Sequence, residues 1–331
     1  MLNGVLVCVI FFALIFEFIN GFHDTANAIA TTVYTRALPA RAAILLAACM
    51  NFTGALVSEK VAKTIATGIV NVDLEQYVVL AALLGAIVWN LFTWWKGIPS
   101  SSSHALIGSL IGATLVHTTA LESVAWSGVL RKVVLPLFTS PVMGFVVGFF
   151  FMNLIFKGFA SWSHGKVNKL FHRLQVLTAA LVAYSHGNND AQKTMGIITL
   201  ALISGDILSP DMGVPLWVKI ACAVMMATGT SVGGWRVMKT MGGSVTKLEP
   251  VSGFAAEASA ALAIEAASFI GAPVSTTQVI TTSIMGAGTA KRMKAVNWGL
   301  TGSILKAWIF TLPVTICFGG IIEYLLEMFL A

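Results

Sequence analysis

Two short stretches of this sequence carry carboxylates and amides among apolar neighbours. The first is Gly21-Phe22-His23-Asp24-Thr25-Ala26-Asn27; the second is Asn188-Asn189-Asp190-Ala191-Gln192-Lys193. Asp24 and Asn27 stand three apart and would share a helix face. A carboxylate with amide oxygens is the ligand set of a hard cation such as Na⁺, by the logic that gives Ca²⁺ and Mg²⁺ oxygen sites. Asp24, Asn27 and Asp190 are the expected sodium ligands, with Asn188 and Asn189 beside them. The plainer alternative is that Asp24 caps a helix over 25–33. Two further stretches, Pro99–His104 and Pro273–Gln278, join a proline to small hydroxyl residues. Proline interrupts a helix, and the hydroxyl residues begin a new one. Free N–H groups and the positive dipole end at such a start favour an anion. Ser101, Ser102 and Ser103 with Ser275, Thr276, Thr277 and Gln278 are therefore expected around one tetrahedral oxyanion. Glu257 inside the apolar run 253–271 and Asn51 inside 41–58 are further candidates for a cation or proton. Glu265 could pair with Lys306, and Glu17 could face a cavity.

The elements that position these groups follow from composition. The chain has 331 residues, 57% hydrophobic and 10% charged, with mean hydropathy +0.85. Soluble domains carry about 25% charged residues, so a soluble enzyme, a nucleic-acid binder and a disordered scaffold are excluded. The net charge of +6 reads instead as cytoplasmic loops. Apolar runs at 2–20, 41–58, 77–95, 105–118, 133–156, 173–187, 193–204, 217–235, 253–271, 279–288 and 298–321 predict an all-α polytopic membrane protein of about 10–12 crossings and half-crossings. The first run continues past Asp24 to about Val33. The stretch 173–204 reads as one crossing broken near its middle, and 105–118 and 279–288 as half-crossings of re-entrant hairpins. Residues 2–19 lack a basic flank and a cleavage site, and so read as a retained span. Cys8, Cys49, Cys222 and Cys317 sit singly in apolar runs, as small hydrophobes do. The basic stretch 157–173 should face the cytoplasm, and both termini the outside of the inner (plasma) membrane; Lys60 and Lys63 fit this count poorly.

Three pairs of segments recur in the same order. Asp24 in its Gly21 motif matches Asp190, Lys60–Thr64 matches Arg236–Thr240, and Pro99–Ser103 matches Pro273–Thr277. An odd number of crossings per copy turns the second copy upside down, the inverted-repeat architecture of many secondary transporters. The expected organisation is a first repeat over 1–156, a cytoplasmic linker over 157–172 and a second repeat over 173–331. A channel would need a continuous polar path, which the sequence lacks. An intramembrane hydrolase would need a dyad, and the neighbours Ser103 and His104 point about 100° apart on a helix. Gly144 and Gly148 form a GxxxG, a helix contact or a dimer face.

The residues Gly21–Ala28 and Gly187–Ile197 resemble the paired signatures of the inorganic phosphate transporter (PiT) family, and Gly253–Glu257 with Pro273–Thr277 is similar to that family's second half. The resemblance implies phosphate symport driven by Na⁺ or H⁺, inverted repeats, a homodimer and no cofactor besides the coupling ion. The short 157–173 loop is like that of prokaryotic members. His23 stands where Asn is frequent, and Asn51 where animal relatives place an acid. Sulfate is the nearest alternative substrate.

Overall fold

The structure, a computed structural model, describes residues 4–71, 74–209 and 211–330; the side chains of residues 25–27, 67 and 330 lie outside that description. The described residues form helices throughout, with two isolated β-bridges as the only extended pairing among them. The first half contains α1 (Gly4–Tyr34), α2 (Ala40–Ala55), α3 (Lys60–Gly68), α4 (Gln76–Lys96), α5 (Ser102–Thr118), α6 (Trp126–Val129) and α7 (Leu135–Gly158). The second contains α8 (His164–Ser204), α9 (Leu216–Val232), α10 (Trp235–Met238), α11 (Pro250–Phe269), α12 (Thr276–Lys291) and α13 (Trp298–Leu330). With no water to bond backbone groups, helices are what a membrane permits here. Among the described residues, four segments suffice by length and composition to cross a bilayer, and up to six if each bent pair is one crossing.

Local structure repeats with the sequence. The pair α2 and α3 bends by 68° and the pair α9 and α10 by 62°. Val70 bridges to Val124, and Thr246 to Val296. Trp126 Nε1 donates to the Leu121 carbonyl (2.7 Å), and Trp298 Nε1 to the Met293 carbonyl (2.9 Å). Prolines 141 and 313 fall inside the two long closing helices.

One expectation about helix ends is corrected, and one alternative falls. The segment 173–204 is not broken at its polar middle: α8 runs unbroken for 41 residues. Likewise α1 continues through Gly21 and Asp24, so Asp24 caps nothing. Side chains from other helices satisfy the polar groups, and the backbone ladder has no need to open. The breaks lie instead between α2 and α3 and between α9 and α10.

Packing divides the apolar residues into two cores. One joins Leu6–Phe22 of α1 to Ala191–Leu202 of α8, together with α4, α5 and part of α9. The other joins Ala28–Ala30 of α1 to Phe171–Ala183 of α8, together with α11 and α12. The helices α1 and α8 therefore pass in opposite directions, and their polar middles lie between the cores.

The closing helices are exchanged: α13 packs on α5, and α7 on α12. Glycine permits both approaches. A Cβ at Gly112 would collide with the Ile316 carbonyl, and one at Gly286 with the Phe145 carbonyl. Gly144 and Gly148 also face α12, against Val279 and Ser283, so this GxxxG is a contact within the chain. Gly286→Val should destabilise the protein by more than about 2 kcal/mol through overpacking. Gly302→Val, where nothing lies within 4 Å, should leave the thermal midpoint in detergent unchanged.

Candidate functional site

Both half-helices start where the proline clusters predict. The Ser101 hydroxyl accepts from the His104 N–H (3.2 Å) and the Ser275 hydroxyl from the Gln278 N–H (3.3 Å), capping α5 and α12. These two serines are thus occupied as caps. The first-turn N–H groups of Ser102, Ser103, Thr276 and Thr277 have no carbonyl in their own helices.

The next hydroxyls turn to the two aspartates. Ser102 Oγ donates to Asp24 Oδ2 (2.8 Å), and Thr277 Oγ1 to Asp24 Oδ1 (3.0 Å). Thr276 Oγ1 donates to Asp190 Oδ2 (2.9 Å). Each carboxylate also has a histidine. His23 Nδ1 lies 2.9 Å from Asp24 Oδ1, and His186 Nε2 lies 3.2 Å from Asp190 Oδ2. Carboxylate oxygens of Asp24 and Asp190 and a ring nitrogen of His186 fall within 4.8 Å of one another. The helices α1, α8, α5 and α12 thus converge on one dry cluster, none of whose hydroxyls or carboxylates is more than 2% exposed.

Lys193, to which sequence reasoning assigned no role, completes the cluster. Its ammonium donates to Asp190 Oδ1 and Ser103 Oγ, and to the Val274 carbonyl at 2.8 Å. It is 2% exposed. The signal was a lone charge at the start of the apolar run 193–204, one turn from Asp190. His104 Nδ1 and both side-chain polar atoms of Gln278 are buried without a partner among the described residues. They occupy matching places at the starts of α5 and α12.

Other expected residues lie apart from this cluster. Asn188 Nδ2 donates to Glu265 Oε2 (3.2 Å), and Asn188 Oδ1 accepts from Gln192 (3.1 Å). Glu265 therefore pairs with an amide, not with Lys306, which is exposed on α13. Asn189 Nδ2 bonds Ser268 Oγ at 2.9 Å, leaving its buried Oδ1 unpartnered among the described residues. Asn51 holds His186 Nδ1 (2.9 Å) and Thr230 (3.0 Å), acting behind Asp190. The Asn27 side chain lies outside the described residues. Glu257 forms a second site, two helical turns along α1 from Asp24. It accepts from Thr31 (2.5 Å), Thr32 (2.7 Å), Thr178 (2.6 Å) and Gln175 (3.1 Å). Glu17 is buried, with Thr194 as donor to Oε2 and no partner on Oε1 among the described residues.

Comparison with known proteins decides the family. The sequence model of the Phosphate transporter family matches residues 20–164 and again residues 156–319. The chain belongs to the phosphate transporter family. The "Probable low-affinity inorganic phosphate transporter" of Bacillus subtilis (strain 168) is 47% identical over 325 residues, 97% of each chain. That of Rhizobium meliloti (strain 1021) is 46% identical over 310 residues, covering 93% of this chain and 92% of the relative. A solved structure, "The sodium-dependent phosphate transporter", superposes with TM-score 0.87 at 25% identity, over 98% of this chain and 100% of the other. This member of the phosphate transporter family is thus a multi-pass membrane transporter and not an enzyme, and the resemblance read from its signatures holds.

The Asp190–Lys193 pair gives a stability test. Removing one partner of a buried ion pair strands the other, at a cost of about 3–5 kcal/mol. Asp190→Asn should lower the thermal midpoint in detergent, and adding Lys193→Met should recover most of the loss. Additive losses in that double-mutant cycle would mean that the pair carries no coupling energy.

Proposed function

We propose that the chain imports inorganic phosphate by symport with Na⁺, through alternating access to the Asp24–Asp190 cluster. The observation that carries this reading is the convergence of two half-helix starts on two carboxylates. Anion donors and cation acceptors are thereby shared in one dry volume. The family and the sodium-dependent structural neighbour supply the substrate class and the ion.

The coupling follows from competition for donors. In the occluded arrangement, hydroxyls of Ser102, Thr276 and Thr277 serve the carboxylates. A cation at Asp24 neutralises its charge and releases Ser102 and Thr277. Those hydroxyls, with the first-turn N–H groups of α5 and α12, then face the phosphate oxygens. An anion alone would meet the negative charge of Asp24 at membrane depth, where like charges close together are costly. Each ligand therefore raises the other's affinity by the same factor. Glu257, ringed by three threonines and Gln175, is a second cation station.

In the same reading the copies 1–156 and 173–331 are inverted, joined by the segment 157–172 on the cytoplasmic side, and the protein is a homodimer in the inner membrane. The opposite passage of α1 and α8 supports the inversion.

Three outcomes check the proposal. Labelled phosphate should accumulate in proteoliposomes under an inward Na⁺ gradient, and a pH gradient alone should not replace it. Ser102→Ala and Thr277→Ala should each weaken phosphate binding in calorimetry by roughly tenfold, as loss of a hydrogen bond to a charged group does. Gly165→Cys should react with an impermeant thiol reagent from the cytoplasmic side only; labelling from outside intact cells would reverse the topology.

A further inference from the structure

We infer that the ammonium of Lys193 is a built-in cation, occupying permanently the place in the second repeat where a transported ion would otherwise bind. The inference rests on the reading of Asp24 and Asp190 as the cation-binding carboxylates, and goes beyond it to the number of ions moved.

The first observation is one of register. Asn27 follows Asp24 by three residues, and Lys193 follows Asp190 by three. When the two aspartates are matched, an amide in the first repeat corresponds to an ammonium in the second. The second observation is the set of atoms around that ammonium: a carboxylate oxygen of Asp190, the Ser103 hydroxyl and the Val274 carbonyl. Three oxygens of these kinds are the ligands a Na⁺ ion takes. They come from α8, from the start of α5 and from the turn ahead of α12, so the ammonium ties both half-helices to Asp190 as a bound ion would. Lys193 is also buried, with no second carboxylate bonded to it among the described residues.

Charge then sets the stoichiometry. Of the two aspartates, Asp190 has an ammonium at contact distance, whereas the basic group beside Asp24 is the imidazole of His23. A carboxylate already paired at contact distance gains little from a further cation and leaves it no room. The second repeat therefore contributes a fixed positive charge toward phosphate, and only the first exchanges a mobile one. The duplicated scaffold keeps its anion site symmetric while halving the central cation demand.

The test uses the full-length protein in detergent, with inorganic phosphate affinity and thermal midpoint measured across a Na⁺ series. Lys193→Met and Lys193→Asn reopen the site; Lys193→Arg keeps a tethered cation. In the two neutral variants, a tenfold rise in Na⁺ should raise phosphate affinity about tenfold more than it does in the parent protein, reflecting one additional linked ion. Their thermal midpoints should rise more steeply with Na⁺ as well, while Lys193→Arg keeps the parental slope. Neutral variants with the parental Na⁺ slope overturn the inference. So do neutral variants that stay unfolded, or blind to phosphate, at every Na⁺ concentration, for the ammonium is then a structural strut or a direct phosphate ligand. A parent protein with no Na⁺ slope defeats the sodium reading alone, and a slope gained by the neutral variants still upholds the built-in cation.

Discussion

The centre of this molecule is governed by the electrostatics of two carboxylates held out of water where α1 and α8 cross. Asp24 and Asp190 cannot stay bare at that depth, and the surrounding elements are arranged to satisfy them. Hydroxyls from the first turns of α5 and α12 reach them. Histidines 23 and 186 lie beside them, and these are held in turn by Thr93 and Asn51. Lys193 neutralises one of them. These demands explain why α1 and α8 remain continuous through strongly polar sequence: each polar group is answered from another helix. They also explain why the half-helices must begin where they do, since a start displaced by one turn would withdraw the hydroxyls by about 5 Å.

Much of this was legible in the sequence, for identifiable reasons. The apolar runs marked a membrane protein because too few charges remain to cover a water-facing surface. The starts of α5 and α12 were readable because proline and a capping serine act locally. The aspartates stood out because an acid in an apolar run needs a partner. What escaped was everything decided by distant contacts. Continuity of α8 depends on residues from α2, α11 and α12, which no local pattern encodes. The link of Asn51 to His186 joins positions 135 apart. Lys193 looked like an ordinary charge until the starts of α5 and α12 were brought to its tip. The placement of Glu265 against Asn188 was likewise invisible beside the equally plausible Lys306.

The two copies agree in scaffold and diverge in chemistry. Bends, β-bridges, tryptophan hydrogen bonds and capping serines occur twice. Glu257 does not: the position matching it at the spacing of the proline clusters is Leu83, a buried core residue. The two halves thus share the half-helix starts that carry Ser102 and Thr276, and differ in their ionisable groups.

The exchange of closing helices has a mechanical consequence. Because α7 leans on α12 and α13 on α5, neither sequence half is a free body. The natural rigid blocks are the two apolar cores, each stitched from both halves of the chain. The helices α2 and α13 also touch both blocks, and α1 and α8 run through both with their polar middles between the cores. Any rocking of one block against the other must twist or flex these two shafts at their polar waists, where Gly21 abuts the backbone of α9 and Gly187 that of α2. Asp24 and Asp190 therefore sit on the axle itself, so that in the proposed cycle filling the cluster and stiffening the pivot are one event.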